Sequence, residues 1–192
     1  GRTIGIGERE LFHFGTTGYL GLEQDMRLKR LAADAIMAYG TQFPLSKSYI
    51  SHPLYRQLEE KIAQMYGSPI IITKNSTLGH LGVIPSAVSD RDAIILDHQV
   101  HWSVQSASKV LKNRSVPIDM VRHNDLNMLE DKIKSHANKR ERIWYMADGI
   151  YSMYGDYAPL DKLQELLEKH PKFHLYIDDA HGMSWAGENG IG

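Results

Sequence analysis

The sequence contains no cysteine, no large excess of charge of either sign and no long hydrophobic run. The lack of cysteine excludes a thiolate nucleophile, thiolate-bound metal and a disulfide scaffold. The 22 basic and 23 acidic residues leave a formal net charge of −1, which argues against a nucleic-acid groove as the main function. The longest apolar runs, such as residues 70–72 and 93–96, are too short to span a membrane. We therefore expect a soluble, cytoplasmic protein with neither nucleic acid nor membrane as a partner.

The chain has enough apolar residues to bury a core, as one domain or as part of a larger one, with 192 residues of which 42% are hydrophobic. From residue 53 onward, apolar runs alternate with helical patterns. This alternation predicts βαβ units and an α/β fold, in which a mostly parallel sheet carries helices on both faces. The predicted strands are residues 69–73, 93–97, 116–121, 142–147 and 173–178, of which 116–121 is assigned to a sheet edge because it contains a proline.

The predicted helices beyond residue 50 begin near Pro53, Ser76, His101, Asn124 and Pro159. Earlier in the chain, apolar residues recur at helical spacing over residues 26–37. Residues 40–53 contain two prolines and many small polar residues, which predicts a long loop. Long loops in compact domains usually serve a function or lie at an interface.

Polar residues that directly follow the apolar runs are the functional candidates, because ligands of parallel sheets bind beyond the carboxyl ends of the strands. Four groups qualify: residues 75–77, 97–101, 148–152 and 178–181. Ser76 and Thr77 begin a helix, where they could cap it or bind a phosphate through free backbone N–H groups. Asp178 ends a strand, where a buried carboxylate requires a cation or several hydrogen-bond donors, unless it only caps a turn.

Two histidine pairs have spacings that metal sites use, namely His98 with His101 and His170 with His174. The first pair straddles a strand-to-helix junction, and Pro171 breaks any helix that carries the second pair. The sequence has no His-Glu-x-x-His motif, so we expect no metal site. His101 stays a candidate for another role because it follows a strand.

Several longer motifs resemble those of one enzyme family. They are GYLGL at residues 18–22, HND at 123–125, DGIYSMYGD at 148–156, APL at 158–160, DDAHG at 178–182 and GENGIG at 187–192. In this order and separation they resemble the α-oxoamine synthases. These are enzymes of fold type I that use pyridoxal 5′-phosphate (PLP) to condense an amino acid with an acyl thioester. The motifs span nearly the whole chain, so the resemblance implies the family but does not select a member.

The resemblance implies roles for particular residues. Asp178 corresponds to the carboxylate that keeps the pyridine nitrogen of PLP protonated, so that the ring withdraws electrons from the reacting carbon. His181 corresponds to the histidine near the phenolic oxygen of the cofactor, and Ser152 to a serine that binds the same oxygen. His101 corresponds to the histidine stacked on the ring. Asp178, His181 and His101 are therefore the expected catalytic residues. These three and Ser152 are expected to bind the cofactor.

Four features depart from the family pattern. Ser76 and Thr77 correspond to the pair that binds the cofactor phosphate, where the family has glycine followed by an aromatic residue. Residues 42–49 replace a glycine-rich stretch, and residues 16–18 replace an entry that contains asparagine. The Schiff-base lysine of the family lies a few tens of residues beyond the DDAHG motif, whereas the last lysine here is Lys172. We therefore expect either part of a longer enzyme or a relative without this lysine.

These observations lead to one expected organisation and function. Residues 1–52 should form an N-terminal arm, a helix and an interface loop, and residues 53–192 part of a large PLP-binding domain, with the family's C-terminal small domain absent. The expected activity is PLP-dependent acyl transfer from an acyl thioester, such as an acyl-CoA, to an amino acid. Two alternatives stay open: an aminotransferase or amino-acid decarboxylase of the same fold, and a non-catalytic, lysine-free partner subunit. The resemblance also implies a homodimer.

Overall fold

The structure, a computed structural model, describes residues 3–42, 50–184 and 187–191. Half of the loop predicted over residues 40–53 lies outside these residues, and so does most of the replaced stretch at 42–49. The chain divides into two units, Gly1–Gln64 and Met65–Gly192. None of the described helices is long and apolar enough to cross a bilayer.

The N-terminal unit contains a β-hairpin, a short 3-10 helix (Leu22–Gln24) and two α-helices. Strand β1 (Thr3–Ile6) pairs antiparallel with β2 (Arg9–Phe12). Helix α1 (Met26–Tyr39) confirms the helix predicted from the apolar spacing. Helix α2 (Pro53–Tyr66) begins with proline at its first position, where the missing N–H has no intrahelical role, and continues into the second unit. None of the described residues before residue 65 is buried.

The second unit is built on a parallel four-stranded sheet in the order β4-β3-β5-β6. Its strands are β3 (Ala93–Asp97), β4 (Ile118–Val121), β5 (Ile143–Asp148) and β6 (Phe173–Asp178). Parallel neighbours need long crossover connections, and helices provide them here. Strand β4 directly follows Pro117 and lies at one end of the described sheet, which confirms the edge position predicted from the proline.

Helices cover both faces of this sheet. They are α3 (Ser76–Ala87), α4 (Trp102–Lys109), α5 (Leu126–Ala137) and α6 (Leu160–Lys169). Successive strand residues point to opposite faces, so neighbouring side chains enter different cores. Ile95 and Tyr145 pack in a core with residues of α5 and α6, whereas Ile94 and Met146 pack in a core with residues of α3 and α4. The predicted α/β fold, with a parallel sheet between two helical layers, is confirmed.

One predicted strand does not form. Residues 69–73 belong to neither described sheet, and the side chain of Ile71 is 80% exposed. The Ile-Ile-Ile run has a high β-propensity, but a strand also requires a neighbour with which its backbone can pair. The described sheets provide no pairing for this segment, so the prediction of a strand there is wrong.

Candidate active site

Three aspartates meet at the carboxyl edge of the sheet. Strands β3, β5 and β6 end at Asp97, Asp148 and Asp178, whose exposed fractions are 0%, 1% and 8%. Asp148 and Asp178 lie directly opposite each other in the register of β5 and β6. Buried carboxylates that lie close together repel one another unless each has hydrogen-bond donors or a proton. The chemistry of this edge therefore depends on how each aspartate is compensated.

Asp178 is held by a histidine that the sequence analysis did not identify. His80 is buried on α3, and its Nε2 lies 2.9 Å from Oδ2 of Asp178. The Ala180 N–H donates to the other carboxylate oxygen at 3.2 Å. Burial alone would raise the pKa of Asp178, but the hydrogen bonds from His80 and Ala180 and the interaction with His101 outweigh it and hold that pKa below its ordinary value. Asp178 is therefore an ionised, buried carboxylate.

The position of His80 in the sequence carries a weak signal for this role. His80 lies four residues after Ser76, so both occupy the same face of α3. A residue one turn into a helix that begins at the carboxyl edge of the sheet can reach that edge. Its partner, however, is 98 residues away in the chain, and only the folded structure shows the contact.

Asp148 positions His101 through the main chain. The His101 N–H donates to Oδ1 of Asp148 at 2.9 Å, while Oδ2 is buried without a hydrogen-bond partner among the described residues. Burial raises the pKa of Asp148 to about 7, the hydrogen bond from His101 opposes the shift, and the charges of Asp178 and Asp97 add to it. His101 thus lies at the same edge as Asp178, as the predicted site requires.

Asp97 is the centre of a second cluster, which uses the HND motif. Its Oδ1 lies 3.0 Å from Nδ1 of His123 and accepts the Gln99 N–H at 2.7 Å, and its Oδ2 accepts the Asn124 N–H and the Tyr145 hydroxyl, both at 2.9 Å. Nε2 of His123 lies 2.8 Å from Oδ2 of Asp156. Burial lowers the pKa of His123, but the hydrogen bonds to Asp156 and Asp97 outweigh it and raise that pKa above its ordinary value.

The predicted phosphate-binding pair begins helix α3. Asn75 caps this helix, because its side chain accepts the Leu78 N–H at 2.9 Å, so neither Ser76 nor Thr77 is the capping residue. The first N–H groups of an α-helix have no acceptor within the helix, so those of Ser76 and Thr77 are available to an anion. This arrangement favours the phosphate interpretation over the capping interpretation, and their role as phosphate ligands stays a prediction.

The last two predicted residues lie in the loops beyond β5 and β6. Ser152 is exposed, and His181 is partly buried three residues after Asp178. A side chain at Gly149 or Gly182 would overlap the carboxylate of Asp179, which would have to move to make room. Among the described residues no group of three or more histidine, aspartate or glutamate side chains could hold a metal ion. The predicted contacts of Ser152 and His181 with a cofactor stay predictions.

Comparison with known proteins reveals similar sequences. A putative 8-amino-7-oxononanoate synthase from Parvibaculum lavamentivorans is 34% identical over 186 residues, which cover 96% of this chain and 47% of that protein. An 8-amino-7-oxononanoate synthase from Symbiobacterium thermophilum is 33% identical across 97% of this chain and 47% of that protein. The chain therefore spans about half the length of the curated relatives it matches. Both relatives carry the name 8-amino-7-oxononanoate synthase, which confirms the resemblance predicted from the motifs.

Solved structures share the fold. A serine palmitoyltransferase from S. paucimobilis, with a bound PLP–myriocin aldimine, has a TM-score of 0.88 at 23% identity, covering 100% of this chain and 49% of that chain. An 8-amino-7-oxononanoate synthase from Francisella tularensis has a TM-score of 0.73 at 22% identity, covering 92% and 47%. These likenesses confirm the predicted fold type I. Since residues 9–190 also match the family model for aminotransferase class I and II, the chain belongs to that family.

Proposed function

We propose that, within the full-length protein, this chain provides the cofactor-binding edge of a PLP-dependent acyltransferase that condenses an amino acid with an acyl thioester. The observation that carries this proposal is Asp178, an ionised carboxylate held by two donors at the carboxyl edge of a parallel sheet. The names of the relatives, 8-amino-7-oxononanoate synthase above all, support the substrate class. The finer assignment of the thioester as an acyl-CoA is part of the same proposal.

The residues at this edge fit PLP chemically. A buried carboxylate favours a cationic donor, and a protonated pyridine nitrogen is such a donor. The N-terminus of α3 presents the backbone N–H groups of Ser76 and Thr77, which suit a phosphate group. The imidazole of His101 lies close enough to Asp178 to influence its pKa, so one aromatic ring can face both residues.

The proposed mechanism divides the work among these side chains. PLP, when bound, supplies an electron-withdrawing ring. Asp178 would hold the proton on the pyridine nitrogen, and His101 would stack on the ring. Ser152 and His181 would donate hydrogen bonds to its phenolic oxygen. The proposal requires the Schiff-base lysine to come from outside residues 1–192, because no lysine here matches the family motif.

Substitution of the key carboxylate tests the proposal. We expect Asp178→Asn in the full-length protein to retain PLP, because the phosphate contacts remain, and to lose turnover by at least about a hundredfold, because an amide cannot hold the pyridinium proton. Absorbance of the bound cofactor and release of free thiol from the acyl thioester are measured on the same preparation. Asp161→Asn, on the first turn of α6, is the matched control and should change neither quantity.

The assay also separates the alternatives. Thiol release together with consumption of the amino acid indicates condensation, whereas amino transfer to a keto acid without thiol release indicates an aminotransferase. Loss of PLP, turnover and fold together in Asp178→Asn would assign Asp178 a structural role instead. If the wild-type protein fails to bind PLP, the proposed function is wrong.

We further propose that the protein works as a homodimer. The N-terminal unit supports this, because its described residues leave large apolar side chains in contact with solvent. Leu31 and Met37 on α1 are 65% and 87% exposed, and Phe12 on β2 is 77% exposed. Exposed apolar side chains of this size are typical of an interface, and a second copy can bury them symmetrically. The cytoplasmic location stays a prediction.

Sedimentation of the full-length protein tests the dimer. We expect the mass of two chains for the wild type and a shift to one chain for the double variant Leu31→Glu, Met37→Glu, because each new charge would have to be buried without a partner. Arg30→Glu changes the charge on the same helix without removing an apolar group, and it should leave the dimer intact. A wild-type monomer at micromolar concentration would refute the proposal.

A further inference from the structure

His80 has no place in the mechanism derived above, although it lies in the middle of the site. Its side chain is buried between Tyr176 and Asp178, with Nδ1 2.6 Å from the Tyr176 hydroxyl and Nε2 2.9 Å from the Asp178 carboxylate. The rings of His80 and Tyr176 are 5.7 Å apart and edge to face. Burying an imidazole is costly unless both nitrogens have partners, and in this site both nitrogens do.

The directions of these hydrogen bonds follow from the chemistry of the partners. Asp178 is ionised and can only accept, so Nε2 of His80 carries a hydrogen and donates it. Burial and the charge of Asp178 raise the pKa of Tyr176 to about 12, so its hydroxyl keeps its proton. In the neutral imidazole Nδ1 is then an acceptor, and Tyr176 donates to it. The tyrosine thus selects the tautomer that points N–H at Asp178.

We infer that His80 is a positioning residue for the cofactor-binding carboxylate, with Tyr176 fixing the tautomer of its imidazole. The inference rests on the proposed function. His80 holds one oxygen of Asp178 and the Ala180 N–H holds the other, so the carboxylate cannot rotate without losing a hydrogen bond. The lone pairs that these two donors leave free are available to a pyridinium N–H in one fixed orientation.

Among the described residues, five titratable groups surround Asp178. They are His80 on α3, His101 before α4, Asp148 on β5, Tyr176 on β6 and the adjacent Asp179. His80 and His101 favour the ionised form of Asp178. Burial and the charge of Asp178 in turn raise the pKa of Asp148 and of Asp179. Removal of His80 therefore leaves fewer groups to compensate the burial of Asp178, and its pKa should rise.

Three variants of the full-length protein test this inference. His80→Phe keeps a ring but removes the donor, His80→Gln keeps an N–H donor at the reach of Nε2, and Tyr176→Phe removes only the hydroxyl. In the cofactor-free protein, carbon NMR of labelled aspartate follows the titration of Asp178, whose signal is assigned by its loss in Asp178→Asn. In the loaded protein, absorbance of bound PLP is recorded against pH.

We expect His80→Phe to raise the pKa of Asp178 by about one unit or more, because a hydrogen bond to the charged form is lost. The pH at which the absorbance of bound PLP changes should shift with it. His80→Gln should restore most of the wild-type behaviour, because it restores a donor to Asp178. Tyr176→Phe should give a smaller shift of the same sign, because the imidazole loses only the preference for one tautomer.

Several outcomes would overturn the inference. In a folded His80→Phe protein, an unchanged titration of Asp178 would exclude the positioning role, and so would a His80→Gln protein that behaves like His80→Phe. If His80→Phe does not fold, Tyr176→Phe carries the test, and an unchanged titration there would be the contrary result. If the wild-type protein binds no PLP, the proposed function fails and the inference falls with it; if PLP binds and the titrations do not shift, only the inference fails.

Discussion

Two histidine–carboxylate clusters lie at the same edge of the sheet, and they are built differently. In the α3 cluster, composed of His80, Tyr176 and Asp178, the carboxylate has two donors among the described residues. In the β3 cluster, composed of Asp97, His123 and Asp156, Asp97 has four. A carboxylate with four donors has little capacity left for a ligand, whereas one with two donors does. The comparison indicates that Asp97 stabilises the fold and that Asp178 is available for binding.

Removal of Asp97 should have the largest effect on stability. Asp97→Ala leaves the hydroxyl of Tyr145, two backbone N–H groups and a partly buried imidazole without their acceptor. We expect a loss of about 3–5 kcal/mol in the free energy of unfolding, which urea titration measures. Asp156→Ala is the matched control, since the Asp156 side chain is 45% exposed, and it should cost about 1 kcal/mol or less. Equal losses in the two variants would contradict the comparison.

Asp148 interacts with the aspartates of both clusters, so its protonation state links them. Its pKa is raised to about 7 from an ordinary value of 3.8, so the folded protein retains a proton that the unfolded chain has already lost. Asp148 therefore lowers stability progressively as the pH rises from about 4 to 7, by up to about 4 kcal/mol. We expect Asp148→Asn to remove this slope, because its amide has no charge to bury. Parallel curves of unfolding free energy against pH for the two proteins would contradict the prediction.

His123 should contribute the smallest pH-dependent effect, and here too folding favours the protonated form. Its pKa is raised above the ordinary value of 6.5, so its contribution to stability is fully present below pH 6.5 and is lost as the pH rises through the folded-state pKa. We expect His123→Gln to lose this pH dependence, which should amount to less than about 2 kcal/mol in the free energy of unfolding above pH 6.5. Thermal melting at several pH values measures this, and Asp156→Asn should reproduce part of the effect. A wild-type stability that rises across that range relative to His123→Gln would contradict the assignment.

Predictions about the fold succeeded where a segment carries its own signal. The apolar runs predicted β3, β5 and β6 almost to the residue, because each strand is apolar over most of its length and β3 and β5 are buried on both faces. Residues 69–73 carry the same signal, yet Ile71 is exposed and no strand forms. Apolar composition reports that a residue can be buried, but the hydrogen bonds of a strand depend on a second segment elsewhere in the chain.

Predictions about the site likewise succeeded only for residues whose position in the sequence carries a signal. Asp178, His101, Ser76 and Thr77 could be selected from the sequence because each follows a predicted strand or begins a helix, and motif resemblance assigned them roles. His80 could not, since a histidine in the middle of a helix gives no sign of its partner. The HND motif was visible, but the contacts of His123 with Asp97 and Asp156 were not.

The sequence by itself thus determined the order of strands and helices from residue 76 onward, the edge of the sheet that carries the chemistry, and the identity of the carboxylate expected to bind the cofactor. Only the tertiary structure decided which of three aspartates are saturated with donors, which one holds a proton near neutral pH and which histidine supports Asp178. The physical reason is distance along the chain. Patterns act over a few residues, whereas burial and hydrogen bonding join His80 to Asp178 across 98 positions and Asp97 to Tyr145 across 48.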